Sequence, residues 1–449
     1  MFRSWRPDLR LFAETSGKNS IIVTPDADID LAVRDVVTSA FGHAGQKCSA
    51  ASLVILVGSV GFSERFQRQL VDAVKSLHVG VPEDLATQMG PMIEEPHGKL
   101  LRGLTVLGEG EHWVLKPQQV GAKLWTPGVR SGVRPMSEYH LTEYFGPILG
   151  VMRADTLAQA MAWQNEVEFG LTAGIHSLNP DEIRCWLDNV QAGNVYINRT
   201  ITGAIVRRQP FGGWKRSSVG TGTKAGGPNY LLGLGHVEED FGEAFPRKVH
   251  IATETLRKAR GVANTMSVVN QDRFLRIIAG MDSAIRSEYL AKHDPTGLVT
   301  EKNVLRYVPA TNTILRLEKD RPIGELLAVG AGGISVGARP RISTAISVSK
   351  QMIEFFAEFG MHVHKETDEE FAQDLALQAD NPDGIRVRVL GTCTVSLPQA
   401  VKGSVDVAFY DEPLTANGRI ELLPFLQEQA VSATNHRFGN PTKLLDGVL

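Results

Sequence analysis

The chain has 449 residues, 43% hydrophobic and 22% charged, with a formal net charge of -3 at pH 7. That length exceeds what one core usually organises, so two or three domains are expected, and the balanced charge gives no electrostatic reason for a nucleic-acid or anionic-membrane partner. Three scattered cysteines, Cys48, Cys185 and Cys393, are too few for a disulfide framework or a four-ligand zinc site, so no metal is expected and a reducing cytoplasm fits best. The charged N-terminal stretch and the lack of a long uninterrupted apolar run predict neither a signal peptide nor a membrane span.

Taken in order, Leu9 to Phe12 and Ile21 to Val23 read as short strands around the turn Thr15-Ser16-Gly17-Lys18. Asp28 is a candidate N-cap for a helix whose apolar residues, from Ile29 to Ala40, lie on one face and which stops near Gly42. Leu53 to Val57 is a buried strand, and Phe66, Leu70, Val74 and Leu77 form the stripe of a helix capped by Ser63. Alternation continues through Ile148 to Met152, Leu157 to Asn165, Ala173 to Ser177, Pro180 to Asn189 and Asn194 to Asn198, which predicts an α/β fold. A glycine-rich stretch, Gly212 to Pro228, closes this block, and the charged, weakly patterned segment from about Val237 to Gly261 is the expected domain boundary. Helices around Gln271 to Ala291 and Ile323 to Val329, then strands at Ile334 to Val336, Val387 to Leu390 and Val405 to Tyr410, predict a second α/β unit. Gly330-Ala331-Gly332-Gly333 stands between a helix and a strand, the wrong order for a dinucleotide loop, and reads as a helix C-cap.

Two residues carry candidate chemistry. Cys48, in Gly45-Gln46-Lys47-Cys48-Ser49-Ala50, occupies a polar loop of small residues between a helix and a strand, an accessible setting for a thiol. Lys47 is placed to favour its thiolate if the ammonium points that way. Glu14, in Ala13-Glu14-Thr15-Ser16-Gly17-Lys18, offers a carboxylate able to act as a base. Taken singly, each is more often a packed or solvated residue than a catalytic one.

The two motifs, in this order and spacing, resemble the aldehyde dehydrogenase superfamily, with Ser16 standing where that family has glycine. Glu143-Tyr144-Phe145-Gly146-Pro147 and Pro210-Phe211-Gly212-Gly213 extend the resemblance over roughly residues 7 to 235. It implies Cys48 as nucleophile, Glu14 as the base that activates water, NAD as hydride acceptor, and Glu143 and Phe145 as ring-side cofactor contacts. The implied fold is a catalytic domain with a parallel-rich sheet and helices on both faces, followed by a second, similar α/β domain. Within the superfamily, Gly45 to Ala50, Thr202-Gly203-Ala204 and Gln209 to Gly213 look like the glutamate γ-semialdehyde (1-pyrroline-5-carboxylate) dehydrogenases of proline metabolism. By that resemblance the substrate's carboxylate falls to Ser49 and the backbone N–H groups of Gly203 and Ala204, with Lys47 nearby and Phe211 on the aliphatic stem.

Leu422 to Leu426 and Ser432 to Gly439 look like the end of long bifunctional proline utilization proteins, whose C-terminal domain is noncatalytic. The expected division is 1-15 as a remnant of the cofactor-binding domain, 16-235 as the catalytic domain, 236-300 as linker and helical segment, and 301-449 as the noncatalytic domain. His436 and Arg437 are read as structural residues at a domain seam. The resemblance makes this chain a fragment without most of the NAD site, beginning at the last strand of a sheet with an unpaired edge. It would act as a homo-oligomer or need a missing N-terminal half. The alternative is a noncatalytic assembly or scaffolding subunit; a catalytic Cys48 is expected to react with thiol reagents faster than an ordinary cysteine at neutral pH.

Overall fold

The computed structural model describes residues 1-238, 249-266 and 271-449. It is an α/β protein that packs into two compact units, neither continuous in sequence. One comprises Met1–Ala13, Ser218–His293 and Arg306–Glu428; the other comprises Glu14–Ser217, Asp294–Leu305 and Gln429–Leu449. The sequence reading ran in consecutive blocks, whereas the packing returns Asp294–Leu305 and Gln429–Leu449 to the unit that holds Cys48. The expected boundary segment falls partly on 239-248, outside the described residues.

The Cys48 unit is built on a nine-stranded sheet in the order Glu301–Pro309, Leu426–Thr434, Asn194–Ile197, Thr172–His176, Asn19–Val23, Ala51–Val57, Ile148–Ala154, Gly128–Ser131, His112–Leu115. Pairing is parallel from Leu426–Thr434 across to Gly128–Ser131, and His112–Leu115 joins antiparallel. Strand Asn19–Val23 is buried along its whole length, as a central parallel strand must be. Its neighbours are Thr172–His176 and Ala51–Val57, so it lies inside the sheet.

Helix Ile29–Phe41 starts where the Asp28 side chain accepts from the Leu31 N–H, and helix Glu64–Lys75 where Ser63 accepts from Phe66 N–H, both as the sequence indicates. Asp28 also takes Arg437 Nη2 at 2.7 Å, so Arg437 is a surface ion-pair partner of that cap. Leu9 to Phe12, read as a strand, has no regular structure. Arg3 Nε donates to the Leu9 carbonyl, and the strand is only Ala13–Glu14.

The other unit holds a fully parallel sheet in the order Val363–Lys365, Arg341–Thr344, Thr313–Leu317, Ile385–Leu390, Val407–Tyr410. Its helix Ile323–Ser335 overturns two expectations, because Ile334 and Ser335 belong to it and not to a strand, and Gly330 to Gly333 lie inside it and not at its cap. A Cβ at Gly330 would stand 2.6 Å from the Phe356 ring, and one at Gly332 2.5 Å from Met281 Sδ, so these glycines serve close packing. The chain turns at Gly337, whose φ of +89 supplies the left-handed stop. The helix expected over Gln271 to Ala291 is α-helical to Ala284 and ends in a π turn, Ile285–Tyr289. No described helix is long and apolar enough to cross a membrane.

Candidate active site

Cys48 follows helix Ile29–Phe41 through a turn, Gly42–Gly45, in which His43, Ala44 and Gly45 all take positive φ. Gly45 is required there: its φ is +67, and a Cβ would lie 2.2 Å from the Gly146 carbonyl oxygen. Gln46 then ties the loop on both sides, donating to the Phe145 carbonyl at 3.2 Å and accepting from Ile93 N–H at 2.8 Å. From the strand beneath, the buried Asn19 side chain donates to the carbonyls of Cys48 (2.8 Å) and Ala50 (3.0 Å) and accepts from Thr172 N–H (3.0 Å). Asn19 therefore fixes the nucleophile loop to two strands. Sequence reading passed over it, though it stands one residue beyond the Glu14 to Lys18 turn.

That turn backs directly onto the loop, since a Cβ on Gly17 would stand 2.8 Å from the Cys48 carbonyl oxygen. Glu14 is exposed, and its Oε2 accepts from Gly213 N–H at 3.3 Å. Asn194 holds Gly213's neighbours, donating to the Pro210 carbonyl and accepting from Gly212 N–H, so Phe211 and Glu14 are tied to one strand end. Cys48 is an exposed free thiol. The packed loop still dehydrates its sulfur, and that burial pushes the thiol up. The Ser49 and Cys48 N–H groups on the sulfur oppose the rise, the negative charge of Glu14 adds to it, and the Lys47 ammonium opposes it least. Cys48 and Glu14 thus share one electrostatic site. Together, dehydration and the charge of Glu14 outweigh the Lys47 ammonium.

Tyr196 joins this pair unannounced by sequence: burial pushes its phenol up to about 12, with Cys48 contributing, and its hydroxyl is buried without a hydrogen-bond partner. Ser49 is buried, and its carbonyl accepts from Thr172 Oγ1 at 3.3 Å.

Glu143 and Phe145 sit across a small cavity lined also by Gly17, Lys47, Ala50 and Tyr144. Glu143 Oε1 accepts from Gly17 N–H at 2.9 Å, which couples this group to the Glu14 turn. Phe145 takes φ +58, turning its carbonyl to Gln46. Gly203, with φ +81, and Ala204 lie on an exposed loop. Gln209 braces that loop: its Oε1 accepts from Ile205 N–H at 2.8 Å while its Nε2 donates to Asn303 (2.7 Å) and Ser432 (3.0 Å). Arg199 Nη1 reaches the same Ser432 hydroxyl at 2.6 Å. These braces come from residues far along the chain, and no local pattern announces them.

In the other unit Glu318, Asp368 and Cys393 bring ligand-type atoms within 4.8 Å of one another, but Arg316 donates to both carboxylates, at 2.9 and 2.8 Å.

A family profile described as the aldehyde dehydrogenase family matches residues 7-234. The chain belongs to the aldehyde dehydrogenase family. Among curated family members it is 36% identical over 226 residues to the 1-pyrroline-5-carboxylate dehydrogenase of Geobacillus sp. (strain WCH70), covering 50% of this chain and 43% of that protein. The enzyme of that name from Bacillus thuringiensis (strain Al Hakam) is 37% identical over 239 residues, covering 49% and 43%. Among solved structures, proline utilization A (PutA) from Corynebacterium freiburgense matches with a TM-score of 0.80 and 45% identity over 98% of this chain and 41% of that one. The chain thus spans less than half the length of these relatives, yet both of its units have counterparts in the last.

Proposed function

We propose that this protein carries the nucleophile and base of an NAD-dependent oxidation of glutamate γ-semialdehyde to glutamate, in the cytoplasm. The observation that carries the reading is the shared electrostatic site of Cys48 and Glu14, on loops locked together by Asn19 and Gly17. The names of the relatives supply the substrate class.

In this reading the Cys48 thiolate attacks the aldehyde carbon to form a thiohemiacetal, and the Cys48 N–H donates to the developing oxyanion. NAD, held at its ring side by Glu143 and Phe145, would supply the hydride acceptor, and loss of hydride from the thiohemiacetal carbon leaves Cys48 carrying a thioester. Glu14 takes a proton from the water that cleaves the thioester, releasing the carboxylate product and returning the thiol. Glu143 fits the cofactor's riboside: one oxygen is held by Gly17 N–H, and the other has no partner among the described residues. Lys47, Ser49 and the N–H groups of Gly203 and Ala204 take the substrate's α-carboxylate, and Phe211 packs on its stem. The catalytic assignment goes to 16-235, and 301-449 is noncatalytic apart from the segments that complete the sheet and brace the Gly203 loop.

A test that needs no cofactor uses p-nitrophenyl acetate, which acylates a reactive thiol directly. The wild type is expected to release nitrophenolate continuously, Cys48→Ser to release none, and Glu14→Gln to give one burst while acetylated Cys48 accumulates, read by intact mass. Equal hydrolysis by wild type and Cys48→Ser sinks the proposal and favours a scaffolding role.

A further inference from the structure

A cavity of about 200 Å³ lies in the unit without Cys48, against Val407–Tyr410, the edge strand of its parallel sheet. Its walls are mostly apolar, Leu11, Phe12, Leu232 and Phe409 among them, and the chemistry proposed for Cys48 makes no use of it. Two arginines that line it, Arg3 and Arg386, have no carboxylate partner among the described residues. Arg386 spends only Nη1, which donates to the carbonyls of Leu423, at 3.2 Å, and Leu426. Its Nε and Nη2 make no hydrogen bond among the described residues, and neither is sealed from solvent. Those two N–H groups form the parallel fork that clasps a carboxylate through both oxygens. Gly222 keeps Nη2 uncovered, since at its φ of +65 a Cβ would stand 3.1 Å from that nitrogen.

Arg3 gives Nε to the Leu9 carbonyl and Nη1 to those of Ser404 (3.0 Å) and Val407 (3.3 Å), so its charge also meets only neutral oxygens. Burial lowers the Arg3 guanidinium, and no described anion raises it. The strands bring the two arginines to one place: Arg386 pairs in register with Ala408, one residue beyond the Val407 that takes Arg3. The acidic groups around the cavity are otherwise engaged. Glu412 pairs with Arg10, Glu421 with Arg388 at 2.8 Å, and Asp8 lies 3.6 Å from Arg6. Glu428 acts on Arg386 through space, but its oxygens accept from Lys224 N–H at 3.0 Å and Asn229 Nδ2 at 2.9 Å. Asp411 is exposed. A guanidinium drawn out of water without an anion is unfavourable, and an entering anion relieves that cost.

We propose that this cavity binds an amphipathic carboxylate, its head clasped by Arg386 Nε and Nη2 beside Arg3 and its aliphatic body among Leu11, Phe12, Leu232 and Phe409. Asp411 and Glu412 at the rim disfavour a doubly charged phosphate head. The test uses octanoate, with octanol as the same body without charge and acetate as the same head without a body. Isothermal titration at pH 7 is expected to show octanoate at least about tenfold tighter than either. Arg386→Met is expected to weaken octanoate about tenfold and to leave octanol unchanged, a split that a general loss of structure does not produce. Leu232→Trp, on the turn Tyr230–Leu234, fills the cavity with both guanidinium groups intact and is expected to weaken octanoate and octanol together. Thermal melts establish whether each variant is folded, and the three probes on wild type and Leu232→Trp decide even where Arg386→Met is not. Absence of octanoate binding at millimolar concentration overturns the proposal, and so does octanol binding as tightly as octanoate. Octanoate binding that Leu232→Trp leaves in place also overturns it, which is the result a carboxylate lodged at the Cys48 site gives. The proposal does not rest on the reading of Cys48, and ester hydrolysis tests that reading separately.

Discussion

At the residue scale the site rests on opposed electrostatic influences on one sulfur. Burial and Glu14 raise the Cys48 thiol and so disfavour its thiolate. Alkylation by iodoacetamide is therefore expected to be slower at pH 7 than that of a free thiol and to rise with pH. Glu14→Gln removes a negative charge that opposes ionisation, so its alkylation midpoint is expected to move to lower pH. A midpoint that moves upward contradicts the shared site. Gly45 is as exacting in the backbone as Cys48 is in chemistry. Alanine there combines positive φ with a clash against the Gly146 carbonyl, and Gly45→Ala is expected to cost about 1–3 kcal/mol or more in urea unfolding and to lose ester hydrolysis.

At the scale of elements, the Gly203 loop illustrates how distant strands set a local shape. Gln209→Ala removes three hydrogen bonds at once, to Ile205, Asn303 and Ser432. Each unmet buried group costs about 1–3 kcal/mol. The expected outcome is a raised KM for the aldehyde with little change in kcat, since the loop is assigned to the substrate's carboxylate and not to the reacting carbon. Equal KM in variant and wild type removes the loop from substrate binding. Asp28, Ser63 and the apolar stripes announced their helices because capping and periodicity are local properties. Cys48, Glu14 and Glu143 were legible for a related reason, each lying in a short motif whose residues serve one turn. Gly330 to Gly333 misled because a glycine that admits Phe356 and Met281 looks, in one dimension, like a glycine that ends a helix. Leu9 to Phe12 misled because alternation without a partner strand makes no sheet. Asn19 and Gln209 stayed silent because their partners are remote in sequence.

At the scale of the whole molecule, buried ion pairs set a different kind of constraint. Arg388 and Glu421 are both almost fully buried and joined at 2.8 Å. Replacing Glu421 by Ala strands a buried charge and is expected to cost about 3–5 kcal/mol, whereas Arg437→Ala, which breaks a surface pair with Asp28, is expected to cost no more than about 1 kcal/mol. Urea titrations of the two variants check that contrast. Acid acts through Asp368: burial pushes its carboxyl up, but hydrogen bonds from Thr394 and Arg316 outweigh this and hold it at about 2. A carboxyl depressed in the folded state stabilises fully above its unfolded value near about 3.9, and that stabilisation is lost as the pH falls toward 2. Asp368→Asn is expected to lower the melting temperature at pH 7 and to shrink its fall between pH 4 and pH 2.

The strand Leu426–Thr434 pairs in parallel with Asn194–Ile197, so the sheet bearing the nucleophile is completed by residues made long after it. On the ribosome, at roughly 5–20 residues per second, residue 217 emerges well over ten seconds before that partner does. Throughout that interval the nascent chain presents the open side of Asn194–Ile197, and a released chain ended at residue 217 is expected to bind chaperone more strongly than one that runs through Thr434.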